Sequence, residues 1–231
     1  MSGGACRRPV ITIDGPAGAG KSTVARALAR RLGFRLIDTG AIYRGAAWAV
    51  RAAGLAPEDG PALRALLERT VVELIGERVL VDGTDVTHEI RSPEIGELTS
   101  VLSMLRPVRE AMTPLQQGLA APGGVVLEGR DTGTVVCPSA DVKFYLDADP
   151  EARARRRQQE LRARGRAVSL DEVRAEVARR DRQDMTREVA PLRRPEDAVL
   201  VDSTSARVED IVERLLETVQ EIMERRCSTP S

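Results

Sequence analysis

The chain has 231 residues, with Lys+Arg and Asp+Glu both at 35, so its formal net charge is zero. That balance argues against general nucleic-acid or membrane-surface binding, and an aromatic content of 2% leaves no stacking platform for single-stranded nucleic acid. The length suits one sizeable domain or a core with insertions. Cys6, Cys137 and Cys227 are far apart, with no C-x-x-C pair. They read as reduced thiols of a cytoplasmic protein, not as a disulfide frame or zinc site. His88, the only histidine, reads as a surface residue beside Glu89, so histidine metal clusters and a His-based triad are not expected. No run approaches the roughly 20 apolar residues of a membrane helix. Residues 1–8 contain no apolar signal core, and with 226–231 they read as loose ends.

In chain order, Val10, Ile11 and Ile13 form an apolar strand that runs into Gly15-Pro16-Ala17-Gly18-Ala19-Gly20-Lys21-Ser22-Thr23. Val24, Ala25, Leu28, Ala29 and Leu32 follow at helical spacing. Strand, glycine loop and helix are the context that makes G-x-x-x-x-G-K-[ST] a phosphate cradle. Successive backbone N–H groups and the helix's positive end converge on an anion. Lys21 is then placed for the β- and γ-phosphates of ATP, and the Ser22 hydroxyl for Mg²⁺. The plainer alternative is a Gly-rich turn joining a strand to a helix.

Gly33 ends the first helix, and Phe34–Ile37 reads as a short buried strand. Asp38-Thr39-Gly40-Ala41-Ile42-Tyr43-Arg44 opens a helix running to about Ala53, with Gly54 closing it. Asp38, Thr39 and Arg44 fall at a strand's carboxyl end, where open parallel sheets hold ligands. Asp38 and Thr39 serve equally as helix caps on residue type alone. Pro61 begins a short helix with Leu63, Leu66 and Leu67 on one side. Val71–Ile75 and Val79–Val81 then read as strands, with Asp82-Gly83 as the turn before Asp85-Val86-Thr87: a small antiparallel insertion.

Ser92 caps a helix with Pro93 in its first position and an apolar face at Ile95, Leu98, Val101, Leu102 and Leu105. The next helix, from about Pro107 to Leu119, carries Arg109. Val125–Leu127 is a core strand ending in Glu128-Gly129-Arg130-Asp131-Thr132-Gly133-Thr134, a segment expected to be polar and flexible. Val142–Leu146 is another strand, and Asp149-Pro150-Glu151 opens a helix. From Arg153 to Arg187 the chain is rich in arginine, and two helices broken at Gly165-Arg166 fit, with Ser169-x-x-Glu172 as a capping box. Interleaved Glu160, Asp171, Glu172 and Glu176 make most of these arginines a solvated, salt-bridged face. Ala198–Asp202 is the last strand, and Val208 to Met223 an amphipathic helix that packs on the sheet. The alternation predicts an α/β fold: a five-stranded parallel sheet flanked by helices, with a small antiparallel β insertion and a helical lid.

Arg44, Arg109, Arg130, Arg180 and Arg187 form a candidate ring around the cradle, with no evident nucleophile or histidine base. That residue set suits a phosphate acceptor better than an alcohol. A phosphate monoester, with a second pKa of about 6, already presents a nucleophilic oxygen near neutral pH, and its problem is charge, which guanidinium groups answer.

Ile13-Asp14-Gly15-Pro16 with the loop, Asp38 to Arg44, Val108-Arg109-Glu110-Ala111, Gly129 to Val136, and Arg180-Asp181 through Arg187 to Leu192 resemble the bacterial cytidylate kinases of the nucleoside monophosphate kinase group, over nearly the whole chain. The resemblance implies ATP-dependent conversion of CMP or dCMP to CDP or dCDP, with Mg²⁺. By position, Asp38, Thr39, Tyr43, Arg44, Arg109, Arg130, Asp131, Asp184 and Arg187 would contact the nucleoside monophosphate, and Ser100 would read the cytosine edge. Arg153 and Arg157 would lie near ATP and Arg180 between the phosphates. The family's catalytic set falls on Lys21, Arg130, Asp131, Arg180 and Arg187. One P-loop kinase domain over 1–231 is expected: core 9–60, 107–150 and 188–225, monophosphate-binding insertion 61–106, and lid 151–187. A cytoplasmic monomer acting on small nucleotides, without nucleic-acid or membrane partners, goes with this reading. A kinase of UMP or of an alcohol such as shikimate, and a switch that holds ATP without transferring it, are the alternatives a P-loop leaves open.

Overall fold

The structure, a computed structural model, describes residues 7–163 and 165–228. The expectations for residues 1–6 and 229–231, including Cys6, lie outside the described residues. The described chain runs β1 (Val10–Asp14), α1 (Lys21–Leu32), β2 (Arg35–Asp38), α2 (Thr39–Ala52), α3 (Pro61–Arg69), β3 (Val72–Ile75), β4 (Arg78–Val81), β5 (Thr84–Asp85), α4 (Pro93–Leu102), α5 (Arg106–Ala120), β6 (Val125–Gly129), β7 (Val142–Asp147), α6 (Pro150–Ala163), α7 (Leu170–Thr186), β8 (Val199–Asp202) and α8 (Val208–Ser228). Residues 37–121 and 187–189 make one compact unit, and the remainder makes another.

The chain's main sheet has five strands in the order β2-β6-β1-β7-β8, and β1, β6, β7 and β8 belong to the larger unit. β1 pairs in parallel with β6 on one side and β7 on the other, and β7 with β8. All five residues of β1 and of β6 are buried, as expected of strands with parallel neighbours and covered faces. This order reverses the direction of winding at β1, so its carboxyl end is a topological switch point, where such sheets bind ligands. Ile11, Ile13, Val126, Phe144 and Leu146 of the sheet pack with Val24 and Leu28 of α1 and Ile211, Leu215 and Val219 of α8 in one apolar core.

Two sequence expectations need correction here. The strand read at Phe34–Ile37 lies one residue later, at the sheet's edge, and only Ile37 within it is buried; an edge strand has one neighbour and needs less apolar surface. Arg8, read as part of a loose end, is tied down. Its guanidinium donates to the Gly33 carbonyl (2.6 Å) and sits over the Phe34 ring at 4.7 Å, and its own carbonyl accepts from Gly124 N–H. At the other end, α8 carries the chain on to Ser228.

α6 and α7 form a hairpin closed by a small apolar cluster of Ala154, Leu161, Val173 and Val177. Gly165, at φ 77°, turns the chain between them. Ser169 and Glu172 make the reciprocal capping box: Ser169 N–H donates to Glu172 Oε2 (2.8 Å), and Glu172 N–H to Ser169 Oγ (3.2 Å). Outside, Arg155 and Arg174 pair with Glu151, and Arg157 with Glu160 and Glu176. These are solvated pairs of the kind the interleaved charges predict.

In the second unit, β3, β4 and β5 form the expected antiparallel sheet, with Asp82 and Gly83 in left-handed conformation at its turn. Its last strand is Thr84–Asp85, slightly earlier than read. α2 lies against this sheet at Gly45, where a Cβ would come within 3.0 Å of Val72. α4 buries Ile95, Thr99 and Leu102, while Val101 is exposed, so the face read from Leu98 and Val101 is rotated. A threonine could take a core position because its hydroxyl donates to the Ile95 carbonyl at 2.6 Å.

Candidate functional site

The phosphate loop follows β1 directly, and its glycines answer specific constraints. Gly15 (φ 149°) crosses the end of β7 so closely that a Cβ would stand 1.9 Å from the Leu146 carbonyl oxygen. Gly18 (φ 76°) passes 2.8 Å from the Arg153 carbonyl oxygen by the same test, and Gly20 (φ 88°) turns the chain into α1. These left-handed conformations strain any side-chain-bearing residue. Lys21 is buried and its ammonium donates to the Pro16 carbonyl at 2.7 Å. Burial, then the charge of Arg130, push the Lys21 ammonium down to about 7, partly opposed by Glu128. Ser22 and Thr23 are exposed at the first turn of α1.

At the end of the neighbouring strand β6, Arg130 Nε donates to Asp184 Oδ2 at 2.9 Å. Burial works against the Arg130 charge, but Asp184, together with Glu128 and Asp181, outweighs it and holds the guanidinium above its ordinary value. Asp131 is buried beside it. The segment read as polar and flexible is instead ordered and largely buried, with Thr132–Val136 forming a π-helical turn. Asp14 at the end of β1 causes this: its carboxylate accepts from Thr132 N–H and Oγ1 and from Gly133 N–H. Burial pushes the Asp14 carboxyl up, and those donors pull it back.

Arg153, expected near ATP, is buried at the start of α6. Its Nε donates to the Ala148 carbonyl (3.0 Å), and its Nη1 to the Ala17 carbonyl (3.1 Å) and to Asp181. Asp181 also accepts the Ala17 N–H at 3.1 Å. The two helices of the hairpin are thus fastened to the phosphate loop by one charged pair. Arg157 lies among Glu160 and Glu176. Arg180 is close enough to Lys21 to depress its ammonium.

The second unit holds Asp38, Thr39, Tyr43, Arg44, Ser100, Arg109 and Arg187 of the expected residues. Asp38 both caps α2, accepting Ala41 N–H at 2.8 Å, and pairs with Arg44 at 2.9 Å. The capping role that residue type allows to Asp38 is thus present. Gly40 permits this, since a Cβ there would lie 3.1 Å from Asp38 Oδ1 and 3.2 Å from Arg44 Nη1. Thr39 is buried in the first turn. Arg109 of α5, only 3% exposed, stacks over the Tyr43 ring at 5.3 Å and donates to the Ser103 carbonyl at 3.2 Å. Ser103 Oγ donates to the Ser100 carbonyl (3.2 Å), so Tyr43, Arg109, Ser103 and Ser100 form one connected set. Arg187 is buried and belongs to this unit.

Sequence reading passed over Asp14 and Asp181 as site residues. The available signal was position: each is an acid where an apolar strand or helix face meets the ligand end of the sheet. Among the described residues no cluster of three or more His, Cys, Asp or Glu could hold a metal.

The cytidylate kinase family model matches residues 11–221. A cytidylate kinase of Geobacter sulfurreducens is 48% identical over 234 residues, covering 100% of this chain and 99% of that protein. One from Geobacillus kaustophilus is 49% identical over 219 residues, covering 93% and 98%. Among solved structures, an uncharacterized protein from Eubacterium ventriosum covers 93% of this chain and 99% of its own at 10% identity, with a TM-score of 0.54, a likeness of fold alone. With a strand–loop–helix phosphate cradle, a partnered arginine at the adjacent strand end and near-half identity along the full length, the chain belongs to the cytidylate kinase family.

Proposed function

We propose that this chain transfers the terminal phosphoryl group of ATP to CMP and dCMP, giving CDP or dCDP and ADP. The observation that carries the reading is a buried Lys21 inside a glycine-built cradle, its ammonium depressed to about 7 by burial and by Arg130. Such a cation is relieved by the arrival of a polyanion. The shared name of the relatives supports cytidine monophosphate as the acceptor.

In this reading residues 15–23 hold the ATP phosphates, with Lys21 on the β- and γ-phosphates. The acceptor phosphate needs no base near neutral pH, since its second pKa is about 6; its oxygen attacks the γ-phosphorus as the bond to ADP breaks. What it needs is in-line placement and cancelled charge, the role given to Arg44, Arg109, Arg130 and Arg187, with Arg180 between donor and acceptor. Asp131 and Asp184 accept from the ribose, with Asp184 also orienting Arg130. Thr39, Tyr43, Asp38 and Ser100 line the nucleoside side. Arg153 and Arg157 serve ATP from the lid, 151–187, and 61–106 is the monophosphate-binding insertion. Mg²⁺ fits the donors present: Ser22 offers an exposed hydroxyl, and Mg²⁺ takes one or two protein oxygens when phosphates and water supply the others. Bound there, it neutralises phosphate charge. The chain acts as a cytoplasmic monomer.

The test is ADP release from ATP with CMP, dCMP, UMP or shikimate as acceptor. CMP and dCMP should be turned over fastest. ADP release with shikimate and not CMP overturns the acceptor, and tight ATP binding with no ADP from any acceptor overturns transfer in favour of a switch.

A further inference from the structure

Asp14 takes no part in the phosphate or nucleoside contacts proposed above, yet it is 1% exposed at the last position of β1, level with Gly129 of β6 and Tyr145 of β7. Oδ1 accepts from Thr132 N–H (2.9 Å) and Thr132 Oγ1 (2.8 Å), and Oδ2 from Gly133 N–H (2.7 Å). These are the first N–H groups of the turn Thr132–Val136, the ones a helical segment leaves without internal acceptors. Asp131, at the turn's own N-cap position, makes no side-chain cap bond, so the cap comes from a neighbouring strand. The turn passes close to that strand at Gly133, where a Cβ would lie 2.9 Å from Thr12 Oγ1. The residue after Asp14 is Gly15, pinned against the Leu146 carbonyl. Two consecutive residues thus anchor both the phosphate loop and the segment that presents Arg130 and Asp131.

We infer that Asp14 is a positioning residue for phosphoryl transfer: it holds the Arg130-Asp131 pair in fixed register with the phosphate loop. The inference rests on the kinase reading. A carboxylate suits the task because it accepts on both oxygens. An amide has one accepting oxygen and two donors, so Asp14→Asn sets an N–H against a main-chain N–H in a site that excludes water. The phosphate loop, built from main-chain amides further along, keeps its own geometry.

The experiment compares wild type, Asp14→Asn and Thr132→Val for steady-state ADP release with ATP and CMP, for equilibrium ATP binding, and for amide exchange. Asp14→Asn should lower kcat about 100-fold, the scale of a small misplacement of reacting groups. ATP affinity should stay at the wild-type value, and exchange should quicken over 130–136. Thr132→Val removes only the hydroxyl donor and should give the same pattern with a smaller loss, about tenfold. It also decides the matter if Asp14→Asn does not fold. Equal losses of ATP affinity and kcat would show a merely structural residue and overturn the inference, as would a Thr132→Val enzyme with wild-type kcat. A wild-type protein that turns over no CMP defeats the kinase reading itself, whereas an active wild type with equally active variants defeats only the role of Asp14.

Discussion

Lys21 is a buried ammonium that donates to a neutral carbonyl, that of Pro16. Its charge is costly until a phosphate arrives. With the free ammonium near 7 and the bound one higher, ATP binding must take up protons between pH 7 and the bound value. ATP affinity should fall as pH rises above 7, because the free protein then holds a neutral amine that must be recharged. Calorimetry in buffers of different ionisation heat should detect that uptake in wild type and not in Lys21→Ala. Lys21→Ala should keep the fold and lose transfer by orders of magnitude.

Among the elements, α7 depends most visibly on local chemistry. It is exposed along much of its length and buries only Val173, Val177 and Asp181, so its start leans on the Ser169–Glu172 box. Ser169→Ala should cost about 1 kcal/mol locally, seen as faster amide exchange in the first turn of α7, while the core sheet's protection is unchanged. At its other end α7 is held by Asp181, which joins Arg153 and the Ala17 N–H. The hairpin is therefore fastened at the phosphate loop, and Gly165 turns the chain at its far end.

For the whole molecule, stability resides in the apolar core between α1, the sheet and α8. Leu28 is fully buried there. Leu28→Ala should cost about 2–5 kcal/mol and lower Tm by roughly 5–15 °C in a chain of this size, checked by calorimetry. The same residues set the direction in which the phosphate loop leaves β1, so the variant should lose activity on heating before it loses ATP affinity at low temperature. The proposed site residues fall in both units. Lys21, Arg130, Asp131 and Asp184 belong to one unit, and Thr39, Arg44, Arg109 and Arg187 to the other. Arg187 is separated in sequence from the rest of its unit by residues 122–186 of the first unit, and it returns through three residues only, 187–189.

The local grammar of this protein was legible in residue order. A glycine loop between an apolar strand and an amphipathic helix, Pro93 behind Ser92, the Ser169–Glu172 box and the small hairpin at Asp82-Gly83 all arise from interactions within a few residues, and the fold class follows from their alternation. The partnership of distant polar groups was not legible. Asp14 capping Thr132, Asp181 fastening Ala17 and Arg153, and Arg109 lying over Tyr43 join residues that no periodicity links. A buried polar group takes whichever partner the packed chain delivers, because leaving it without one costs too much. That choice is made only when strands and helices assemble, which is why an apparently loose polar segment, 128–134, proved to be largely buried and tied to Asp14.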